Sequence, residues 1–228
     1  MATSSETLIA GLCSPDENTR RYAAEDLGDS DDAGAVGPLV GALSDSSPAV
    51  REAAMDSLTR IGGEPVVHAV LPALGSENVP LRNAACFLLG ELGEIAVGPL
   101  AKLLDDQDKD VRLLAIDTLA RIGSGSAETT LVRALEDADV NVAAAAAGAL
   151  GRIGTASSVE PLIAALKADS WVRCAAAKSL GRIGGLEALR TLTGLACDED
   201  PLVSFAAAQA LIKVGARRNT LLVTEEEK

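Results

Sequence analysis

The chain has 228 residues, 41 of them Ala and 32 Leu, with four aromatics (Tyr22, Phe87, Trp171 and Phe205) and one histidine, His68. A core built on Ala and Leu nearly without aromatics means thin elements packed close together, which suits helices better than sheets, and a single histidine excludes every site that needs two. Twenty Lys and Arg against 33 Asp and Glu give a formal charge of −13, which argues against nucleic-acid and anionic-membrane partners, since both are held by basic faces.

The N-terminal segment, MATSSETLIAG, has no basic region and no long apolar run, so no secretory signal is expected. No apolar run in the chain approaches the ~18 residues of a membrane span. Cys13, Cys86, Cys174 and Cys197 form no Cys-x-x-Cys pair and point to a cytoplasmic protein with reduced thiols. Cys86 and Cys174 fall in Ala-rich stretches and are expected as small buried hydrophobes.

From residue 19 one segment recurs along the chain: TRRYAAEDLGDSD (19–31), VREAAMDSLTRIG (50–62), LRNAACFLLGELG (81–93), VRLLAIDTLARIG (111–123), VAAAAAGALGRIG (142–154), VRCAAAKSLGRIG (172–184) and VSFAAAQALIKVG (203–215). A reference position, Arg in most copies, falls at 20, 51, 82, 112, 143, 173 and 204, so the spacing is 30 or 31 throughout. Counting from it, +3 is always Ala (Ala23, Ala54, Ala85, Ala115, Ala146, Ala176, Ala207) and +7 is always Leu (Leu27, Leu58, Leu89, Leu119, Leu150, Leu180, Leu211). Position +10 is Ile, Leu or Val in the last six copies. These offsets make one stripe of a 3.6-residue period, so each segment is predicted as a helix with one buried side.

The helix ends are also legible. Four residues before the reference position stand Asp16, Ser47, Asn78, Asp108, Asp139, Asp169 and Asp200, all residue types that cap a helix N-terminus. Pro48 and Pro201 follow at the first helical position. Gly62, Gly93, Gly123, Gly154, Gly184 and Gly215 are expected to take the left-handed position after each helix, which gives it about 13 residues. Upstream of each cap a shorter apolar run (GPLVGAL, LPAL, GPLAKLL, TTLVRAL, EPLIAAL, LRTLTGL) predicts a second helix per unit. No ~31-residue unit can bury its own stripe, so the units must stack. The expected fold is all-α: a right-handed α-solenoid, or superhelix, of about seven helical hairpins. They form a single domain over 1–228, with hairpins near 6–31, 35–62, 66–93, 96–123, 127–154, 158–184 and 188–215 and a tail at 216–228.

Best shown by EPLIAALKADSWVRCAAAKSLGRIG at 160–184, the unit resembles the HEAT-like repeat of the phycobilisome-lyase type, over roughly residues 6–215. The resemblance implies a ladder of Asp, six residues before the reference position, and Arg along the stack. Asp45 with Arg51 and Asp106 with Arg112 match both positions; Arg82 and Arg173 supply the Arg alone. Asp137 faces Ala143, Asp198 faces Ser204, and Ser14 and Ser76 replace the Asp, so the ladder is expected to be incomplete.

The resemblance also implies that the first helices of the units form a convex side and the second a concave one. On the second helices, +1, +2, +5 and +9 lie opposite the core stripe. Position +9 reads Asp29, Arg60, Glu91, Arg121, Arg152, Arg182 and Lys213, a basic row in an acidic chain. Tyr22, Phe87, Leu113 and Phe205 fall on the same side, and AAAAAGALG at 143–151 is nearly bare between them. Arg and aromatics dominate interface energies, so these positions read as a protein- or peptide-binding surface. Arg at +9 also complements the negative helix end, and the acidic turns are read as solvated loops. In the tail, Arg217 and Arg218 are read as capping the last helix, and Leu221, Leu222 and Val223 as covering the core's end.

HEAT-like relatives include deoxyhypusine hydroxylase, whose di-iron site uses His-Glu pairs; this chain has no His-Glu dipeptide, and His68 is read as a surface or filler residue. Neither a Walker-type loop nor a Ser-His-Asp set is present. The reading is a cytoplasmic, non-catalytic scaffold for a protein or peptide partner, without cofactor or metal, as a monomer or weak end-to-end oligomer. The runner-up, implied by the resemblance, is an accessory subunit of a bilin lyase.

Overall fold

Each cap residue in the sequence starts a helix because its side chain satisfies an N–H that the first turn leaves without a partner. All seven do so: Asp16 accepts from the Thr19 N–H, Ser47 from Ala49, Asn78 from Leu81, Asp108 from Asp110, Asp139 from Asn141, Asp169 from Trp171 and Asp200 from Leu202. The computed structural model describes residues 5–30 and 32–226, with the surroundings of side chains given through Gly215. Its described elements are fourteen α-helices and short 3-10 turns, with no strand among them.

The chain divides into two compact units, Met1–Leu103 and Leu104–Lys228. The first holds α1 (Ser5–Gly11), α2 (Glu17–Gly28), α3 (Val36–Ala42), α4 (Pro48–Ile61), α5 (Gly63–Val70), α6 (Val79–Leu92) and α7 (Glu94–Lys102). The second holds α8 (Lys109–Ile122), α9 (Glu128–Arg133), α10 (Val140–Ile153), α11 (Val159–Ala165), α12 (Ser170–Ile183), α13 (Leu186–Leu195) and α14 (Pro201–Glu226). Even-numbered helices are the long second helices of the hairpins; α4, α6, α8, α10 and α12 have 14 residues each. Within each unit a long helix packs on the next, α2 on α4 on α6 and α8 on α10 on α12 on α14, so the fold is an α-solenoid.

The Ala and Leu positions form the core as predicted: every +3 Ala is buried, and every +7 Leu except the half-buried Leu211. Position +10 is different. Only Ile153 is buried there, whereas Ile61, Leu92, Ile122, Ile183 and Val214 are half-buried. The third core column lies instead just before the reference position, at the buried Val50, Val111, Val142, Val172 and Val203. Cys86 and Cys174 are also half-buried, not core.

The helix ends need two corrections. Gly62, Gly93, Gly123 and Gly184 have positive φ, but Gly154 is extended with φ −67°. Gly215 ends nothing, because α14 continues through it to Glu226. The roles expected of Arg217, Arg218 and Leu221 to Val223 lie outside the described side chains. The LPAL run is not the third unit's first helix but the 3-10 turn, Leu71–Gly75, that closes α5.

How closely neighbouring long helices approach is set by the residue at +8 and the +6 residue it meets on the next helix. A Cβ on Gly28 would stand 2.9 Å from the Ser57 Cα, one on Gly151 3.0 Å from the Ser179 Cα, and one on Gly181 3.1 Å from the Ala210 Cα. The buried hydroxyls of Ser57 and Ser179 donate across these seams to the Ala24 and Ala147 carbonyls. These three pairs, α2–α4, α10–α12 and α12–α14, make the most extensive long-helix contacts. Within the units, Ala120 at +8 goes with a looser contact of α8 with α10, and Thr59 with the loosest of these pairs, α4 with α6.

Candidate functional site

The Asp–Arg ladder is present, but its register differs from the sequence expectation. Each rung joins the Arg of one repeat to the Asp of the next, 25 residues on. Arg20 donates from Nε and Nη2 to the Asp45 carboxylate at 2.8 and 3.0 Å. Arg112 makes the same fork with Asp137 at 2.8 and 2.9 Å, and Arg173 donates from Nη2 to Asp198. Asp137 and Asp198 therefore have their partners in the preceding repeat, and neither is left facing Ala143 or Ser204. Within a repeat, Arg meets only backbone: Nη1 of Arg20, Arg51, Arg82 and Arg112 donates to the carbonyls of Ser14, Asp45, Ser76 and Asp106 at 2.7–2.9 Å.

The residue six before the reference position has a second task, accepting the N–H two residues later. Asp45, Asp106, Asp137 and Asp198 do this with a carboxylate oxygen, Ser14 and Ser76 with a hydroxyl. Serine can shape the turn but is too short and uncharged to complete a rung.

The Arg20 fork holds the Asp45 carboxyl below its ordinary value of 3.8, against the opposing effect of burial. Hydrogen bonds from Thr19, Asn141 and Ser170 do the same for Asp16, Asp139 and Asp200. A carboxyl whose folded pKa is depressed adds stability above its unfolded pKa and loses it as pH falls through the folded value. Thermal melts are therefore expected to be flat with respect to these groups down to about pH 5 and to fall steeply below about pH 4. A melting temperature still rising below pH 4 would contradict this.

Glu128 on α9 is a fastening that the sequence pattern did not reveal. Its carboxylate accepts from the Thr155 N–H and from the hydroxyls of Thr155, Ser157 and the buried Ser158, which ties the start of the sixth repeat to the fifth. Burial pushes the Glu128 carboxyl up, but these donors outweigh it and leave it below its ordinary value. Glu128→Ala strands the Ser158 hydroxyl and is expected to cost about 1–3 kcal/mol in urea unfolding.

The expected binding row is exposed at Arg60, Arg121, Arg152, Arg182 and Lys213, on α4, α8, α10, α12 and α14. It is not uniformly positive. Arg60 pairs with Asp29 of the preceding repeat, and Arg152 lies 3.6 Å from Asp117 on α8. In the second unit Arg152, Arg182 and Asp117 border a groove of about 430 Å³ whose floor is Ala145 and Gly148. In the first unit Phe87 and Met55 line a separate groove of about 530 Å³ between α4 and α6, the loosely packed pair. Tyr22 is exposed with the Arg21 guanidinium 4.2 Å over its ring, Phe205 is exposed, and Leu113 is half-buried. His68 is exposed on α5. Among the described residues no group of three or more His, Cys, Asp or Glu side chains is placed to hold a metal ion, and no helix is long and apolar enough to cross a membrane.

Among solved structures, human deoxyhypusine hydroxylase in complex with glycerol is similar at 21% identity and TM-score 0.48, over 93% of this chain and 84% of that one. The complex of CpcE and CpcF of phycocyanin lyase from Nostoc sp. has a chain similar at 24% identity and TM-score 0.39, over 93% and 95%. A chain of a Kap95p–RanGDP structure shares the fold at TM-score 0.56 and 18% identity, with 92% of this chain covering 34% of that one. No curated protein matches the chain. The family model for HEAT repeats matches residues 5–90, 97–173 and 159–223, nearly the whole chain. With its capped hairpins, Ala–Leu core columns and inter-repeat rungs, the chain belongs to the HEAT-repeat family.

Proposed function

We propose that this HEAT-repeat scaffold is a non-catalytic adaptor that binds a protein or peptide on the exposed face of its long helices, in the cytoplasm. The groove in the second unit carries the reading: two arginines from adjacent repeats, Arg152 and Arg182, flank a floor of Ala145 and Gly148. Small floor residues admit a partner's backbone, and arginines on either side offer forked donors to its carboxylates and carbonyls. The Arg152–Asp117 pair does not block this use, because an exposed pair held at 3.6 Å is weak and exchanges readily for a partner's carboxylate. Phe87 over the groove between α4 and α6 offers an apolar anchor of the kind found in interfaces.

The experiment is affinity capture with the wild type and with the Arg121→Glu/Arg152→Glu/Arg182→Glu variant in parallel, with proteins identified by mass spectrometry. Binding lost in the folded variant supports the adaptor. A parallel sample with phycocyanobilin tests the lyase alternative: a visible-absorbance shift favours it, and an unchanged spectrum counts against it.

A further inference from the structure

Inside each unit the seams between consecutive repeats differ in how much of the rung they keep. Those at Arg20, Arg112 and Arg173 are complete, and the one after α10 has lost both partners, with Ala143 and Lys167 in their places. The seam between α4 and α6 keeps the arginine alone. Arg51 Nη1 donates to the carbonyls of Asp45 and Ser46 at 2.7 and 3.1 Å. Nε and Nη2 form the edge that grips a carboxylate in Arg20 and Arg112. In Arg51 that edge has no acceptor among the described residues, because the next repeat offers Ser76 in place of Asp. The Ser76 hydroxyl serves its own turn, accepting the Asn78 N–H.

Arg51 also lines the groove of about 530 Å³ between α4 and α6, and among the described residues it is the one cation there. The rest of the lining is largely apolar, with Pro48, Met55, Pro80 and the exposed Phe87. Met55 lies one helical turn, about 6 Å, along α4 from Arg51, a distance that neighbouring residues of an extended chain cover.

We propose that this groove takes an aspartate side chain of a partner polypeptide on Arg51, with the next residue's apolar side chain against Met55 and Phe87. An aspartate from outside then completes the half rung as Asp45 and Asp137 complete theirs from within. The guanidinium is already oriented by two carbonyls, so little freedom is lost when the forked pair forms. Glu52 on the same rim is exposed and has no hydrogen bond to hold it there, so it turns to solvent at little cost. The proposal rests on the reading that the exposed face of the long helices binds protein, but it concerns the other unit from Arg152 and Arg182.

The probe is acetyl-Gly-Asp-Leu-Gly-amide, titrated into the full 15N-labelled chain while the Arg51 Nε–Hε and Phe87 amide resonances are followed. Saturable shifts at both are expected. Affinity should be at least roughly tenfold weaker for the same peptide with Asn in place of Asp, which loses the charged fork. Acetyl-Gly-Asp-Gly-Gly-amide, without the apolar side chain, should also bind more weakly. Ser76→Asp supplies the carboxylate internally; it should fold, melt at a higher temperature than the wild type and lose the preference for Asp over Asn. Should Ser76→Asp fail to fold, Arg51→Gln carries the test and should lose the same preference. None of these changes touches Arg121, Arg152 or Arg182, so this proposal and the proposed groove in the second unit can fail independently. Absence of saturable shifts, equal affinity for either comparison peptide, or a preference that persists in folded Ser76→Asp or Arg51→Gln would overturn the proposal. So would acetyl-Gly-Leu with a free C-terminal carboxylate binding as tightly as the aspartate peptide.

Discussion

Gly151→Leu lowers the melting temperature of the chain substantially, whereas Gly148→Ala on the same helix raises it slightly. At position 151 even a Cβ would stand 3.0 Å from the Ser179 Cα, and that neighbour is backbone and cannot swing away. A leucine there forces α10 and α12 apart and strands the Ser179 hydroxyl, which now donates to the Ala147 carbonyl at 2.7 Å. Overpacking of this kind costs about 1–3 kcal/mol, with the lost hydrogen bond in addition. In a chain of this size that corresponds to a fall of roughly 5–15 °C. A Cβ on Gly148 would meet nothing within 4 Å. Its replacement by Ala removes backbone entropy from the unfolded chain and gains about 0.5–1 kcal/mol. Thermal melts by circular dichroism distinguish the two; equal shifts would show that the seam between α10 and α12 does not depend on its glycine.

Reversing Arg121, Arg152 and Arg182 to Glu is expected to weaken partner binding by roughly a hundredfold or more, with little change in stability. Truncating a single arginine at the centre of an interface commonly costs about 2 kcal/mol, and reversal adds repulsion toward acidic groups. The fold tolerates the change because all three side chains are exposed, and exposed ion pairs such as that of Arg152 with Asp117 at 3.6 Å add little stability. Arg133→Glu is the matched control: Arg133 is equally exposed but lies on α9, a short helix, and pairs with Asp105 at 3.0 Å. Its reversal should leave binding within about threefold of wild type, as for a residue outside the energetic centre of an interface. Fluorescence anisotropy with a recovered partner reads both variants.

The start of each helix and its main core columns were legible in the sequence, and the partners a side chain meets on a neighbouring repeat were not. A cap needs only its own first turn, and all seven caps stand where the residue types indicate. The +3 Ala and +7 Leu columns follow from helical periodicity alone. The rungs illustrate the limit. Asp45 and Arg51 are neighbours in the motif, yet the carboxylate of Asp45 is taken by Arg20 of the previous repeat. The +8 glycines were visible as a recurring Leu-Gly, but their purpose depends on the residue met across the seam, Ser57, Ser179 or Ala210. Ile at +10 suggested core by its chemistry; near the end of the helix, however, the next unit no longer covers it, and most of these side chains are half-buried. The candidate site divides in the same way. Exposure of the arginine row followed from the helical wheel, whereas its partial neutralisation by Asp29 and Asp117 arises only from stacking.

The arginine-flanked face of the long helices is the proposed binding surface. Quantitative capture from an extract of the native cell tests it most directly, with tagged wild type, the triple Glu variant and Arg133→Glu compared at equal folded concentration. A discrete set of proteins held by wild type and Arg133→Glu but depleted at least roughly tenfold with the triple variant is the predicted result. The same set recovered in equal amounts by all three would contradict it.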